Sequence, residues 1–340
     1  LPINHHKKLH QWYQLHGRRE LPWRNVQDPY PIYLSEVMLQ QTQVKTVRER
    51  YYFPFLAAFP TLKSLAQAPL QEVLKQWEGL GYYSRAANLH KAAVQCGGVL
   101  PDTITALMKL PGIGKNTAHA IACFAFKQPV PIMEANVKRI LCRVFALENP
   151  DPALLWEKAE RLLDKENPFD YNQAMMDIGA LVCKKNSPHC DICPLNGICE
   201  GQQDPLSYPA PKASKRVRIR KKHIVVWQDK NGNYILHKRT SRFLGGLYGF
   251  PEYEEKVEEV SFENLHYPLG EHSLIGEVSQ TYSHFTLEAK IHHIRLDRVL
   301  PEAMTLKEML AAPLSGVDHK IIHLLQNQKL LPALSPKFFN

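Results

Sequence analysis

No stretch of this 340-residue chain approaches the roughly 18 consecutive apolar residues that a membrane-spanning helix needs. The longest run, Ile121 to Phe126, is the size of a helix-core fragment, so no membrane partner is expected. The first residues, Leu1-Pro2-Ile3-Asn4, lack the charged flank and apolar stretch of a secretory signal. The chain starts with Leu rather than Met, which leaves room for residues upstream. There are only seven cysteines, an odd number with no secretion signal, which argues against a disulfide framework. Internal repeats and low-complexity tracts are missing too. With 44% hydrophobic and 22% charged residues, the composition excludes a disordered or collagen-like chain. The length suits about two domains.

Acidic residues are the minority: 33 Asp and Glu against 42 Lys and Arg leave a formal charge of +9. Such an excess favours a polyanionic partner, although nucleic-acid-binding and membrane-surface proteins share it. Acids are missing altogether from residues 205–222. That segment carries Pro205, Pro209 and Pro211, then Lys212, Lys215, Arg216, Arg218, Arg220, Lys221 and Lys222. It reads as a basic linker, either a solvated tether or a phosphate contact.

Before the linker, residues 1–204 read as mainly helical. Apolar residues recur at helical spacing around Leu34, Val37 and Met38, with Ser35 as the expected N-cap, and again at Ala86, Leu89, Ala92 and Ala93 before Gly97-Gly98. Residues 223–340 read as a smaller α+β domain. His223–Trp227 and Tyr234–Lys238 flank Asn231-Gly232, a hairpin signal, and Phe285, Leu287, Ala289 and Ile291 alternate with polar residues as in a half-buried strand.

Two motifs carry chemistry. Cys183, Cys190, Cys193 and Cys199 fall in one loop with C-x6-C-x2-C-x5-C spacing. Zinc sites usually pair two short knuckles across a longer spacer, whereas four thiolates in one loop suit the corners of a single [4Fe–4S] cluster, with zinc the alternative. Cys96, Cys123 and Cys142 read as buried free thiols. The string Leu110-Pro-Gly-Ile-Gly-Lys-Asn-Thr117 lies between apolar helices. Its glycines permit a tight turn that points helix N-terminal amides at a phosphate, which makes it a helix-hairpin-helix.

A helix-hairpin-helix followed by that cysteine loop resembles the helix-hairpin-helix DNA glycosylase superfamily. The strings Leu21-Pro-Trp-Arg24, Ser35–Gln43, Gly79-Leu-Gly-Tyr-Tyr83 and Asn172–Asp177 resemble the MutY-type adenine DNA glycosylases within it. The likeness covers nearly all of residues 10–200 and, more loosely, the C-terminal domain. It implies a helical glycosylase domain with an iron–sulfur loop at 183–199, and an α+β Nudix-like domain that recognises 8-oxoguanine. The partner would be double-stranded DNA carrying adenine opposite 8-oxoguanine or guanine. The enzyme would be monomeric and cytoplasmic, at the bacterial nucleoid.

By this resemblance Glu36 is the acid that protonates the flipped adenine and engages water, a task that calls for burial and a raised pKa. Glu134 faces the oxocarbenium-like sugar, and Asn136 orients that carboxylate or water. Here the chain departs from the family: Glu134-Ala135-Asn136-Val137 stands where the pattern is Asp-Gly-Asn-Val. The extra methylene moves the carboxylate by roughly 1.5 Å, in a reaction sensitive to about 1 Å. An impaired enzyme that only binds lesions is therefore the alternative, and a thymine or uracil glycosylase a further one. Trp23, Arg24 and Gln173 would line the adenine pocket. Gln41 and Tyr82 would fill the vacated stack. Leu110, Gly112, Gly114, Lys115 and Asn116 would face DNA, with Arg18 and Arg85 as further phosphate contacts. Bifunctional relatives carry a Schiff-base lysine where Asn116 stands, so strong lyase activity is not expected. Tyr282, Ser283 and His284 occupy the place of the family's 8-oxoguanine-reading Phe-Ser-His loop. The catalytic Nudix helix is missing around Glu254-Glu255, which disfavours pyrophosphohydrolysis.

Overall fold

A computed structural model describes residues 4–211, 217–241, 243–262 and 265–331. The chain divides into two compact units: Leu1–Gln67 with Asn88–Ala213, and Ala68–Ala87 with Ser214–Asn340. The helices, in chain order, are α1 (Asn4–His16), α2 (Pro29–Met38), α3 (Val44–Thr46), α4 (Tyr52–Ala58), α5 (Leu62–Gln67), α6 (Leu70–Gln76), α7 (Ser84–Gln95), α8 (Ile104–Leu107), α9 (Lys115–Phe124), α10 (Ala135–Val144), α11 (Pro152–Leu162) and α12 (Pro168–Leu181). Helix α2 is capped not by Ser35 but by Asp28, whose carboxylate accepts from Tyr30 N–H, with Pro29 in the first turn. Ser35 lies inside the helix and turns its buried hydroxyl onto the Ile32 carbonyl.

Two buried clusters of the first unit position the site. One gathers Leu9 and Tyr13 of α1 with Ile140 and Leu141 of α10 and Ala174, Met175 and Ile178 of α12. The other joins Ile32 of α2, Ala120, Cys123 and Phe124 of α9, and Ile132 from the segment that precedes α10. The second core brings α2 and the start of α10 together.

The second unit holds a mixed sheet in the order β4-β1-β8-β7, formed by β1 (Arg218–Gln228), β4 (Glu252–Glu254), β7 (Leu274–Thr281) and β8 (Phe285–Arg295). Short pairs β2 (His237–Lys238) with β3 (Tyr248–Gly249), and β5 (Glu259–Phe262) with β6 (Leu265–Pro268), complete its strands. Ile224 and Val226 of the central strand face a core shared with Ile321, Ile322 and Leu325 of helix α14 (Gly316–Asn327); Val225 and Trp227 face another on the opposite side. A strand covered on both faces reads as an unbroken apolar run, as here. The preceding helix, α13 (Leu306–Ala311), begins in a capping box between Thr305 and Glu308.

Several expectations are corrected. Strand β1 starts at Arg218, so residues 218–222 are not linker: they pair in parallel with Phe285–Ala289 of β8. Residues ahead of it also hold fixed places, since Tyr208 accepts from Arg143 and Ala210 N–H donates to Glu148. Lys212, Lys215, Arg216 and Arg242 lie outside the described residues. Residues 68–87 belong with the C-terminal part because their polar groups are spent there. Glu78 accepts from Leu314 N–H and from His319, both at 2.8 Å, and Lys75 donates to the Leu310 and Ala312 carbonyls. At Asn231-Gly232 a turn does form, held by Asp229 accepting from the Asn231 and Asn233 amides. It closes on a single Gln228–Tyr234 bridge, not a long hairpin. The alternating strand at 285–291 is β8, with its odd-numbered residues buried.

Candidate active site

Glu36 projects from α2, and Glu134 is the N-cap of α10. An N-cap acid ordinarily bonds the amides of its own helix, but Glu134 makes no such bond. Its carboxylate is therefore left for other work. Burial raises the pKa of both groups, and for Glu36 the neighbouring Glu134 charge adds to the rise while Arg24 opposes it. Two carboxylates this close cannot both ionise freely, so one keeps a proton well above the ordinary carboxylate range. Ala135, which replaces the family's glycine, is the first residue of α10. A helical position is open to any L-residue, so the lost glycine costs the backbone nothing there.

Beside this pair, Arg24 is buried and forks onto Asp177 of α12 at 2.7 and 2.8 Å. Asp177 also receives the Arg18 side chain and backbone N–H at 2.8 Å each. Burial alone would raise the Asp177 pKa; the hydrogen bonds and charge of Arg24, with Arg18 behind, hold it below the usual range. Arg18 is thus an internal ion-pair partner rather than a free phosphate contact. Trp23 is buried edge-on against Tyr52, with ring centres 5.3 Å apart. Gln173 is buried on α12, and its side-chain oxygen lacks a hydrogen-bond partner. An orphaned acceptor of this kind is costly unless a ligand donor meets it.

Asn136 lies in the first turn of α10, where its amide oxygen accepts from Arg139 and its Cβ would collide with any side chain at Gly179. Asn116 accepts from Met133 N–H at 2.6 Å, which turns it inward. Gly112 adopts φ +77° in the hairpin, and a Cβ there would come within 2.7 Å of Asn88. Leu110 is buried beneath the turn, while Gly114 caps α9 and is exposed together with Lys115, whose ammonium lies 4.0 Å from the Trp156 ring centre.

Gln41 and Tyr82 are exposed and both adopt left-handed backbone, with φ of +56° and +50°. Such strain in non-glycine residues persists where the surroundings impose it, often at functional sites. Around Tyr82 the support is visible: Arg85 lies under its ring at 5.3 Å and over Trp77 at 5.4 Å, and both Arg85 and Trp77 donate to the Gly81 carbonyl. Arg85 is therefore a buried prop, not a phosphate contact.

The four loop cysteines line one cavity with Ile140, Val144, Ile178 and Val182. Buried Arg143 donates to Cys183 Sγ at 3.2 Å and to the Lys184 and Lys185 carbonyls, and Arg139 donates to the Cys183 carbonyl. Sequence reasoning missed both arginines; their four-residue spacing on α10 was the available signal. Among the described residues, no three His, Cys, Asp or Glu side chains converge on a single ion position.

In the second unit, Tyr282 N–H donates to the Phe285 carbonyl, which closes the turn between β7 and β8 and leaves Ser283 and His284 exposed at its tip. The Tyr282 ring turns inward, 4.9 Å from Phe243 and 5.1 Å from Phe285. Glu254 and Glu255 pair with Lys222 and Lys221 rather than standing on a helix.

Comparison with known proteins matches residues 34–165 to the HhH-GPD superfamily of base excision DNA repair proteins and residues 223–324 to the NUDIX domain. An adenine DNA glycosylase of Buchnera aphidicola subsp. Baizongia pistaciae is 35% identical over 293 residues, spanning 81% of this chain and 82% of that one. The chain belongs to the adenine DNA glycosylase family. The rat adenine DNA glycosylase is 31% identical over 375 residues, covering 88% of this chain and 72% of its own. Among solved structures, a thermostable thymine-DNA glycosylase superposes with a TM-score of 0.54 at 29% identity, over 58% of this chain and 94% of its own. Family membership makes the chain a base-excision-repair DNA glycosylase, with DNA as its partner. Among the described residues no helix is long and apolar enough to cross a membrane.

Proposed function

We propose that the chain hydrolyses the N-glycosidic bond of adenine mispaired with 8-oxoguanine or guanine, leaving an abasic site. The observation that carries this reading is the half-buried Glu36–Glu134 pair, with both carboxyl pKa values raised. Glu36, kept protonated by burial and by its neighbour, donates to the adenine ring as the bond to the sugar lengthens. Glu134 then offsets the positive charge that develops on the sugar, and water completes the hydrolysis. Gln173, with its orphaned oxygen, has an acceptor to offer the exocyclic amine of a flipped adenine, and Trp23 and Arg24 close the pocket around it. Asn116 cannot form a Schiff base, so strong lyase activity is no part of this reading.

The hairpin amides of Gly114 and Lys115 would hold the backbone, with Gln41 and Tyr82 wedged into the stack. Ser283 and His284 would read the lesion, anchored by the Tyr282 ring. The cysteine loop suits one [4Fe–4S] cluster bound by Cys183, Cys190, Cys193 and Cys199. Burial and the neighbouring sulfurs push Cys193 up to about 12 and Cys199 up to about 11, so four thiolates there need a positive group between them. When bound, the cluster would brace the loop that presents Lys184 and Lys185.

Single-turnover base release from duplexes with adenine opposite 8-oxoguanine tests the reading, with thymine opposite guanine as control. Fast adenine release, with strand scission only after alkali, is the expected result; release of thymine instead would overturn it.

A further inference from the structure

The segment that delivers Glu134 has neither helix nor strand to hold it. Residues 127–134 run as irregular backbone between α9 and α10, yet their polar groups are matched in series by three side chains. Asn172 of α12 donates to the Val130 carbonyl and accepts from Ile132 N–H, both at 3.0 Å. His119 of α9 donates from Nδ1 to the Pro131 carbonyl at 2.9 Å. Asn116, one turn earlier on α9, accepts from Met133 N–H at 2.6 Å. The Glu134 carbonyl is itself taken by Lys138 N–H at 2.8 Å as α10 begins. The Glu134 backbone is therefore fixed from both sides, while its carboxylate is held by no bond to its own helix. Two of the three side chains come from the helix that packs against α2, the helix of Glu36.

We propose that Asn116, His119 and Asn172 are positioning residues forming a side-chain clamp that sets the starting point of Glu134, so that its longer side chain places the carboxylate where the family's aspartate would reach. The proposal rests on the glycosylase reading above for its kinetic arm alone. A carboxylate one methylene longer needs its own backbone placement, because catalysis is lost over about 1 Å. His119 is suited to the task as a neutral donor: burial, with Lys115 nearby, lowers its pKa, so the ring neither gains charge nor loses its Nδ1–H near neutral pH. Asn116 fills the position at which bifunctional relatives keep a nucleophilic lysine, which leaves that position free for a structural bond.

The test is a double-mutant cycle on single-turnover adenine release, with duplex affinity measured alongside. Asn116→Ala should slow release tenfold or more while duplex affinity stays within twofold; Asn116→Ser, which keeps an oxygen acceptor, should lose less. Glu134→Asp should slow the otherwise native enzyme tenfold or more, because the clamp is fitted to glutamate. In the Asn116→Ala background the same change should cost less than threefold. Effects that simply multiply, or a faster Glu134→Asp enzyme, would overturn the clamp. Should the native protein release no adenine, the glycosylase reading fails and the clamp is still tested. The Glu134 carboxyl signal in 13C-glutamate-labelled protein, assigned by its loss in Glu134→Gln, should titrate with a shifted midpoint in Asn116→Ala. An unmoved midpoint would overturn the proposal.

Discussion

Two sets of carboxylates withdrawn from solvent in the helical unit, one fully buried and one half-buried, have met desolvation in opposite ways. Asp177 is fully buried and surrounded by donors: the Arg24 fork, the Arg18 side chain and the Arg18 amide. Its charge is matched, and its pKa is held down. At Glu36 the neighbouring Glu134 charge adds to burial, and the opposing Arg24 is already committed to Asp177, so burial drives both Glu36 and Glu134 upward. A matched carboxylate braces a fold, whereas an unmatched one holds a proton at a pH where carboxylates ordinarily have none. The difference lies in the partners, since desolvation acts to raise the pKa of all three.

The largest expected effect comes from removing the proton donor. Glu36→Gln should cut single-turnover adenine release by about 10²–10⁴-fold, the usual range for a lost general acid, while lesion duplexes still bind in a gel-shift assay. In the native enzyme the rate should fall as pH rises through the elevated Glu36 pKa, since only the protonated form donates. Breaking the matched side should instead cost stability. Asp177→Asn strands two arginines and should lose about 3–5 kcal/mol in urea unfolding. The same unfolding experiment sharpens the contrast for Glu36. Its raised native pKa gives a contribution that is complete below the unfolded-state value and is lost as pH climbs through the native one. Glu36→Gln should therefore gain stability over the native chain between pH 5 and 8 by about 1 kcal/mol or more, and show no gain near pH 3. An equal gain at both ends would mean that Glu36 is not perturbed. The smallest effect should come from the turn tip: Ser283→Ala should reduce discrimination between 8-oxoguanine and guanine opposite adenine by about 1 kcal/mol, read as a ratio of release rates.

Much of the architecture was legible locally. The Gly112–Gly114 turn and the alternation from Phe285 to Ile291 each depend on a few neighbouring residues, and each is found where it was expected. What was hidden depends on distant partners. Arg18 and Arg85 look like surface cations in sequence; one meets Asp177, 159 positions away, and the other lies between two aromatic rings. Ser35 was a plausible cap until Asp28-Pro29, a stronger helix start, claimed the role seven residues earlier. The chemistry of Glu36 was readable from its string, but its proton affinity was not, because that comes first from burial in the folded chain and then from the charge of Glu134, 98 residues later at the start of α10. The clamp on residues 130–133 was hidden for the same reason: its three side chains come from two helices.

The chain crosses between its two units three times, before residue 68, after residue 87 and after residue 213. On the ribosome this becomes a matter of waiting. Glu78 leaves the tunnel 236 residues ahead of Leu314, whose amide it will hold, and Lys75 precedes Leu310 by 235. The excursion from 68 to 87 must remain unfinished for most of synthesis. A fragment ending near residue 213 would keep that segment permanently without its anchors, so the two units cannot be separated by a single cut.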